Sequence, residues 1–374
     1  MINPGLYIHI PFCVRKCYYC DFTSFSDKYC YVDVYFQHLK KELSDILNKY
    51  PDVIFNTVYI GGGTPSSVDS KYILGLFDLF SQRLSIDCEI TIEANPATVT
   101  AEKLHDYLEC GINRISIGVQ SFENELLKSL GRIHSEEQAV NTVLMAKEAG
   151  FKNINIDLIY GIPSIKKRNA QSLKEMEETM HKALSLGVTH ISTYSLIIEE
   201  GTKLYDWNTD YIDDDIDRKM YYMCKKLLEN NGFKQYEISN FALNGFESKH
   251  NLKYWNCDDY IGVGLAAASC MNGVRYKNTI DFEKYISGNY LDSTETIVLN
   301  EQDQMKEFMM LGFRKLSGPD PHEFYKRFNI DYSKKFSDNL QRLIDKNLIE
   351  RKNNYFILTD KGLDYANIVF REFV

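Results

Sequence analysis

The sequence predicts an α/β protein, with parallel β/α units through its first half and a mainly helical end. Three observations carry this. Six short β-branched, apolar runs alternate with segments whose apolar residues recur at helical spacing. Glycines sit where those helical segments stop. Polar or glycine residues recur where each apolar run ends.

The runs are Leu6–Ile10, Thr57–Ile60, Glu89–Glu93, Arg114–Val119, Asn153–Ile159 and His190–Leu196. Between them, Val32–Tyr50, Ser70–Leu84, Ala101–Cys110, Ser135–Gly150 and Ala170–Gly187 read as helices. Gly111, Gly150 and Gly187 mark helix ends, and Thr100 and Ser135 are expected N-caps. Gln138, three residues after Ser135, completes a capping-box pattern. Such alternation leaves two architectures open, a doubly wound open sheet or a barrel, whole or partial.

The second half differs. Asp206–Asp217 holds six Asp in twelve residues and is expected to be a solvated loop. A helix is expected over Met220–Gly232, and Gly262–Gly264 lies in a turn-rich stretch. After Asn300 come helical segments, including Ser337–Lys346. Leu348–Arg351 and Tyr355–Leu358 read as a small hairpin, and Lys361–Val369 as a last helix. Helices with a two-stranded wing suggest a winged-helix module.

Composition narrows the function. The 374 residues are 44% hydrophobic, enough for a large core, and carry a net charge of −9. That balance argues against a basic nucleic-acid-binding face. Residues 300–374 hold 13 Lys+Arg against 12 Asp+Glu, too even for a module that tracks phosphates. A lid or a partner-docking domain is the expectation there, without nucleic acid as a partner. No apolar run reaches the ~18 residues of a membrane span, and no signal-peptide pattern opens the chain, so a cytoplasmic protein is expected. In a reducing compartment, clustered cysteines serve metals or catalysis rather than disulfides.

Three of the nine cysteines fall within eight residues, as Cys13-Val-Arg-Lys-Cys17-Tyr-Tyr-Cys20. A C-x3-C-x2-C loop can wrap three thiolates around one metal centre. A structural zinc site wants four ligands, usually two separated pairs, and no second pair exists here. Zinc completed by a distant histidine, and three buried thiols or a disulfide plus one spare thiol, are the alternatives. A [4Fe–4S] cluster on Cys13, Cys17 and Cys20 would leave one iron open to a small molecule. Arg15 and Lys16 would favour the thiolate form.

The run ends supply the other candidates. They are Gly61-Gly62-Gly63-Thr64-Pro65, Glu93-Ala94-Asn95-Pro96, Gln120 after Gly118-Val119, Asp157 before Leu158-Ile159-Tyr160-Gly161, and Tyr194 with Ser195. In parallel β/α folds this is the face where sites form. The glycine run is no phosphate loop, since no Gly-Lys-Ser/Thr follows. Glu93 and Asp157 are costly to bury unless paired with a structural cation or with an amine and hydroxyls of a ligand.

Together, the cysteine loop after the first strand, the Gly61–Pro65 run and Glu93–Pro96 resemble the radical S-adenosylmethionine (SAM) superfamily. That resemblance implies a partial (β/α)6 barrel, a [4Fe–4S] cluster and SAM chelated on the open iron. Tyr7-Ile8-His9-Ile10-Pro11-Phe12-Cys13, Gly118–Phe122 and Asn155–Pro163 further resemble the oxygen-independent coproporphyrinogen III oxidase (HemN-like) group. On this resemblance, Tyr7, Tyr19, Gly62, Gly63, Thr64, Glu93, Gln120, Arg132 and Asp157 fall at SAM contacts. It implies a radical SAM core over residues 1–235, a connecting region over 236–299 and a winged-helix-like C-terminal domain over 300–374.

Two features separate the chain from the oxidases of that group. Phe22 stands where they carry a fourth cysteine, and only twelve residues precede Cys13. Cys20-Asp21-Phe22 and His250-Asn251-Leu252-Lys253-Tyr254-Trp255, followed by Tyr260–Gly264, are similar to the HemW group of heme chaperones. That implies heme as ligand, with His250 as an iron-ligand candidate and Lys249 near a propionate. It also implies a heme-accepting protein, an electron donor such as a flavodoxin or ferredoxin, and a peripheral position at the membrane during delivery. Porphyrin biosynthesis by oxidative decarboxylation of coproporphyrinogen III is the alternative activity.

Overall fold

The computed structural model describes residues 3–374. Its centre is one sheet in which six parallel strands lie side by side in chain order. They are β1 (Gly5–Ile10), β2 (Phe55–Gly62), β3 (Leu84–Ala94), β4 (Arg114–Gln120), β5 (Asn153–Tyr160) and β6 (His190–Ser195). Each adjacent pair is parallel, and β1 does not pair with β6, so the six form an open arc. This is the partial barrel.

Between the strands run α1 (Val32–Lys49), α2 (Ser70–Phe80), α3 (Ala101–Glu109), α4 (Asn124–Ser129), α5 (Glu136–Ala149) and α6 (Leu173–Ser185). The capping box at Ser135 and Gln138 forms, and a second one joins Ser172 and Glu175. Gly150 ends α5 in the left-handed region, at φ 117°.

Strand alternation explains the architecture. One set of alternate residues is aliphatic and fully or nearly buried: Leu6, Ile8 and Ile10; Val58 and Ile60; Ile90 and Ile92; Ile115 and Ile117; Ile154, Ile156 and Leu158; Ile191. These pack into the main core with Leu39, Leu43, Ile73, Leu76, Leu104, Val143 and Met176 of the helices. The other set lines the inside of the arc and is polar. It runs Tyr7 and His9, Thr57 and Tyr59, Glu89, Thr91 and Glu93, Arg114 and Ser116, Asn153, Asn155 and Asp157, and His190 and Ser192. Because side chains point to alternate faces, a strand can serve both demands at once. Barrels of this kind usually fill their interior with branched apolar residues, and this one does not.

The later elements extend the arc at both edges. β7 (Lys234–Gln235) and β8 (Asn240–Ala242) add antiparallel strands beyond β6. β9 (Tyr260–Val263) runs parallel to β1, and β10 (Ala268–Met271), β11 (Val274–Asn278) and β12 (Leu291–Val298) follow it antiparallel. Glu42 of α1 fastens this edge, accepting hydrogen bonds from Tyr285 Oη (2.6 Å), the Gly264 amide (2.9 Å) and Asn278. From Glu301 onward a second hydrophobic core forms, with Phe308, Phe313, Phe324, Leu340 and Phe356 at its centre. Its helices carry the two-stranded wing β13 (Ile349–Lys352) and β14 (Tyr355–Leu358).

One expectation holds in part: residues 207–213 form a loop and most of 206–217 is exposed. The acidic stretch at 206–217 is not simply a loop. α7 (Lys203–Asp206) precedes it, and Asp213 caps α8 (Asp214–Asn230), which begins six residues before the expected Met220. Asp213 Oδ1 accepts from the amides of Asp215 and Ile216 (3.0 and 3.2 Å). Acidic residues in a first helical turn are stabilised by the exposed amides and the helix dipole.

The polar interior sets the acid limit of the fold. Burial pushes His9 down to about 4, and His134 and His250 down to about 3; His190 is lowered as well. The unfolded chain takes protons on these four near the usual pKa of ~6.5 while the folded chain refuses them, so stability is lost as pH falls. Burial raises Glu42 and Glu93 to about 7, which acts with the opposite sign below that value. Burial raises Glu237 and Asp217 in the same direction. Below about pH 4.5, the ordinary carboxyl value, these acids are protonated in both states and the histidines alone still act. The thermal midpoint of the ligand-free chain should therefore fall as pH drops from about 4.5 towards about 3, and a flat or rising profile by circular dichroism would refute this.

Candidate functional site

The C-terminal ends of the parallel strands open into a cavity of about 420 Å³. That lies within the ~300–1,000 Å³ of ordinary small-molecule sites. Cys13, Cys17, Tyr19 and Cys20 line one side, Gly62, Gly63 and Thr64 another, and Glu93, Gln120, Arg132 and Asp157 the remainder. Residues spread over 145 positions of sequence thus meet because each ends or follows a strand.

The cysteine loop has little regular structure, and its one internal backbone bond runs from the Cys20 amide to the Cys17 carbonyl (3.3 Å). Its start is held by the Cys13 amide on the Phe25 carbonyl (3.0 Å). All three cysteines are free thiols. Burial raises Cys13, against a hydrogen bond with Thr64 Oγ1 at 3.4 Å, and raises Cys20 to about 11. Both therefore stay protonated until a cationic centre arrives. One cation is already in place: Arg132 Nη1 stands 3.3 Å from Cys17 Sγ, and its Nη2 donates to the Gly118 carbonyl. Arg132 Nε is buried without a partner. Among the described residues, no three His, Cys, Asp or Glu converge as ligands of one ion do. The three thiols of this one loop all line the cavity, a donor set that a cubane cluster accepts at three of its corners.

The glycine run lets backbone approach the cavity. Gly62 has φ 107°, and a Cβ there would lie 2.5 Å from the His9 ring. A Cβ on Gly63 would lie 2.9 Å from the carbonyl oxygens of Ile10 and Phe12. Glu93 accepts from Tyr59 Oη (2.8 Å) and the Gly62 amide (3.1 Å), and burial raises it to about 7. Asp157 accepts from Asn155 Nδ2 (2.8 Å) and Ser116 Oγ (3.1 Å). Behind it runs an ordered chain: Tyr236 Oη donates to His190 Nε2 (2.8 Å), and His190 Nδ1 donates to Asn155 Oδ1 (2.6 Å). Gln120 sits at φ 68°, a left-handed conformation rare outside glycine.

Tyr7 lies beside Tyr59, rings 6.3 Å apart, and it is Tyr59 that faces the cavity. Tyr7 Oη donates to His9 Nδ1 (3.0 Å), and His9 Nε2 donates to the Thr23 carbonyl (2.8 Å) just past the cysteine loop. Sequence reasoning passed over Tyr59, Ser116, His9 and Asn155. Their signal was the period-two polar alternation within the runs. Asp217 of α8 also reaches the site, accepting from Ser195 at the cavity wall.

His250 is not brought to this cavity. It lies on α9 (Lys249–Trp255), which closes the opposite end of the arc, and it is 1% exposed. Its ring nitrogens are hydrogen-bonded with Thr57 Oγ1 and Tyr254 Oη, both at 2.9 Å. Glu89 caps the helix, accepting from the amides of Lys249 (3.1 Å) and His250 (3.0 Å). In this conformation His250 is packed, and both ring nitrogens are engaged, so an iron could reach Nε2 only after the Tyr254 hydroxyl gave way.

The radical SAM superfamily model matches residues 7–180, and the HemN C-terminal domain model matches 299–365. The heme chaperone HemW of Lactococcus lactis is 35% identical over 98% of this chain and 96% of its own. Those of Bacillus subtilis and Escherichia coli are also 35% identical, over 98% and 99% of this chain and 98% of each relative.

The chain belongs to the HemW family.

HemW proteins thus share its whole length, and their radical SAM domain implies a [4Fe–4S] cluster and SAM. The solved structure of Escherichia coli coproporphyrinogen III oxidase (HemN), a radical SAM enzyme, superposes with a TM-score of 0.85 at 21% identity. It covers 100% of this chain and 90% of that one, which establishes the shared fold.

The packing of α9 carries its own expectation. His250→Ala should destabilise the chain by roughly 3 kcal/mol, because it empties a buried site and orphans two hydroxyls. Urea unfolding measures this, and a loss under roughly 1 kcal/mol would contradict the packed role.

Proposed function

We propose that this chain is a heme chaperone that carries a SAM-binding [4Fe–4S] cluster and delivers heme to an acceptor protein. The observation that supports this most is the similarity to heme chaperone HemW proteins along nearly the whole of both chains. On this reading Cys13, Cys17 and Cys20 hold the cluster, and Arg132 offsets its negative charge. The cluster, when bound, would supply a single electron towards SAM. Gly62, Gly63 and Thr64 give backbone and hydroxyl contacts to the methionine part, and Tyr19 packs by the adenine. Glu93 receives the amino group, and Asp157 or Gln120 the ribose hydroxyls. Tyr7 acts through His9 and Tyr59.

Heme enters this reading from the relatives' function, and His250 would serve as its ligand once the Tyr254 hydroxyl released Nε2. An electron donor such as a flavodoxin or ferredoxin would reduce the cluster. No helix among the described residues is long and apolar enough to cross a membrane. All nine cysteines are unpaired, which suits a reducing compartment. We place the chain in the cytoplasm, peripheral at the membrane during delivery.

Full chain reconstituted anaerobically should bind heme stoichiometrically and leave coproporphyrinogen III unchanged in the presence of SAM and reductant. Formation of protoporphyrinogen would favour the oxidase activity instead. Replacing Cys13, Cys17 and Cys20 with alanine should abolish bound iron and sulfide. SAM affinity should fall as pH drops below about 7, because the protonated Glu93 no longer attracts an ammonium, and Glu93→Gln should flatten that profile. Equal pH dependence in both proteins, by calorimetry, would remove Glu93 from the amino-group role.

A further inference from the structure

The two consecutive tyrosines of the cysteine loop have opposite fates. Tyr19 faces the cavity. Tyr18 faces away, into a set of groups from three other segments. Its amide donates to the Leu130 carbonyl, and its carbonyl accepts from the Leu204 amide, both at 3.0 Å. Its ring meets the Trp207 ring edge-on, with centroids 4.9 Å apart. Lys166 Nζ lies 5.2 Å from the Tyr18 ring centre and 4.0 Å from that of Trp207, and Lys203 Nζ also stands 5.2 Å from Tyr18. Beneath the ring is Gly131, at φ 77°, where a Cβ would sit 2.9 Å from Tyr18 Cδ1.

This is more fixing than a surface aromatic requires. The loop has no helix or strand to define it, and Tyr18 lies between two of its three sulfurs. Lys166 itself adopts φ 56°, an unfavourable left-handed conformation for lysine, and in it caps both rings. Cations over aromatic faces are attracted by the ring quadrupole.

We propose that Tyr18 is the positioning residue of the cluster loop: seated on Gly131 and clamped by Lys166, Lys203 and Trp207, it sets where the Cys17 and Cys20 sulfurs stand. The inference rests on the cluster reading above and extends it to residues that touch neither iron nor SAM. The phenol oxygen plays no part in the clamp, and the ring does.

The test uses the full chain, reconstituted anaerobically with iron and sulfide, as wild type, Tyr18→Phe, Tyr18→Ala and Lys166→Gln/Lys203→Gln. Three quantities are read: the rate of iron loss to a chelator, the electron paramagnetic resonance spectrum of the reduced cluster, and the thermal midpoint of the unloaded chain. Tyr18→Phe should match wild type in all three. Tyr18→Ala should lose iron at least about fivefold faster, on the order of one lost cation–π contact, with an altered spectrum. The double lysine variant should also lose iron faster, at an unchanged thermal midpoint. Wild-type rates in Tyr18→Ala, or a Tyr18→Phe variant as poor as alanine, would overturn the proposal. Should Tyr18→Ala not fold, the lysine variant decides, and a wild-type rate there overturns it. A wild-type chain that takes up no iron defeats the cluster reading as well, which separates the two failures.

Discussion

Everything in this molecule is arranged around the need to satisfy polar groups inside an arc of parallel strands. Glu89, Thr91, Glu93, Arg114, Ser116, Asn155, Asp157 and His190 point inward, and most are buried. An unpaired polar group in such a place costs several kcal/mol, roughly what a whole domain has to spare. The structure meets this for many of them with short ordered chains, while Thr91 Oγ1 and Arg114 Nε stay buried without a partner. Tyr236, His190, Asn155 and Asp157 form one, Tyr59, Glu93 and the Gly62 amide another, and Tyr7, His9 and Thr23 a third. Each chain terminates at or beside the cavity, so the groups that satisfy the interior also orient the site.

Stability comes from the other face. Ile and Leu residues at alternate positions seal the strands against the helices, and this face needs no polar atoms. The same strands therefore separate two tasks by parity. Outward residues supply apolar burial, and inward residues supply chemistry. α9 completes the scheme at the far end, where Glu89 caps it and Thr57 and Tyr254 engage His250. The stretch His250-Asn251-Leu252-Lys253-Tyr254-Trp255 packs against that end of the arc in this conformation.

The cysteine loop shows the opposite economy. It has almost no internal hydrogen bonding, and its shape is imposed by its surroundings: Phe25, Leu130, Leu204, Thr64 and Arg132. Burial holds the thiols of Cys13 and Cys20 protonated, and the Arg132 guanidinium waits against Cys17. Such a loop is defined jointly by its neighbours and by whatever centre deprotonates it.

The sequence alone determined the order and direction of the β/α units, because apolar periodicity and glycine stops are local signals. It also determined the cysteine triad and the strand-end residues, because their spacing and chemistry are readable along the chain. Periodicity left open whether the strands closed, opened or curved, since pairing between distant segments leaves no local period, and only the motif resemblance pointed to a partial barrel. The acidic stretch at 206–217 is an exposed loop through 213, but Asp213 and Asp217 also have helix amides and Ser195 as partners. The sequence left His250 between a packed side chain and an iron ligand, and in this fold it is packed against Thr57 and Tyr254. Both were decided by tertiary structure, because whether a polar side chain is free or engaged depends on groups that only folding brings within hydrogen-bond reach.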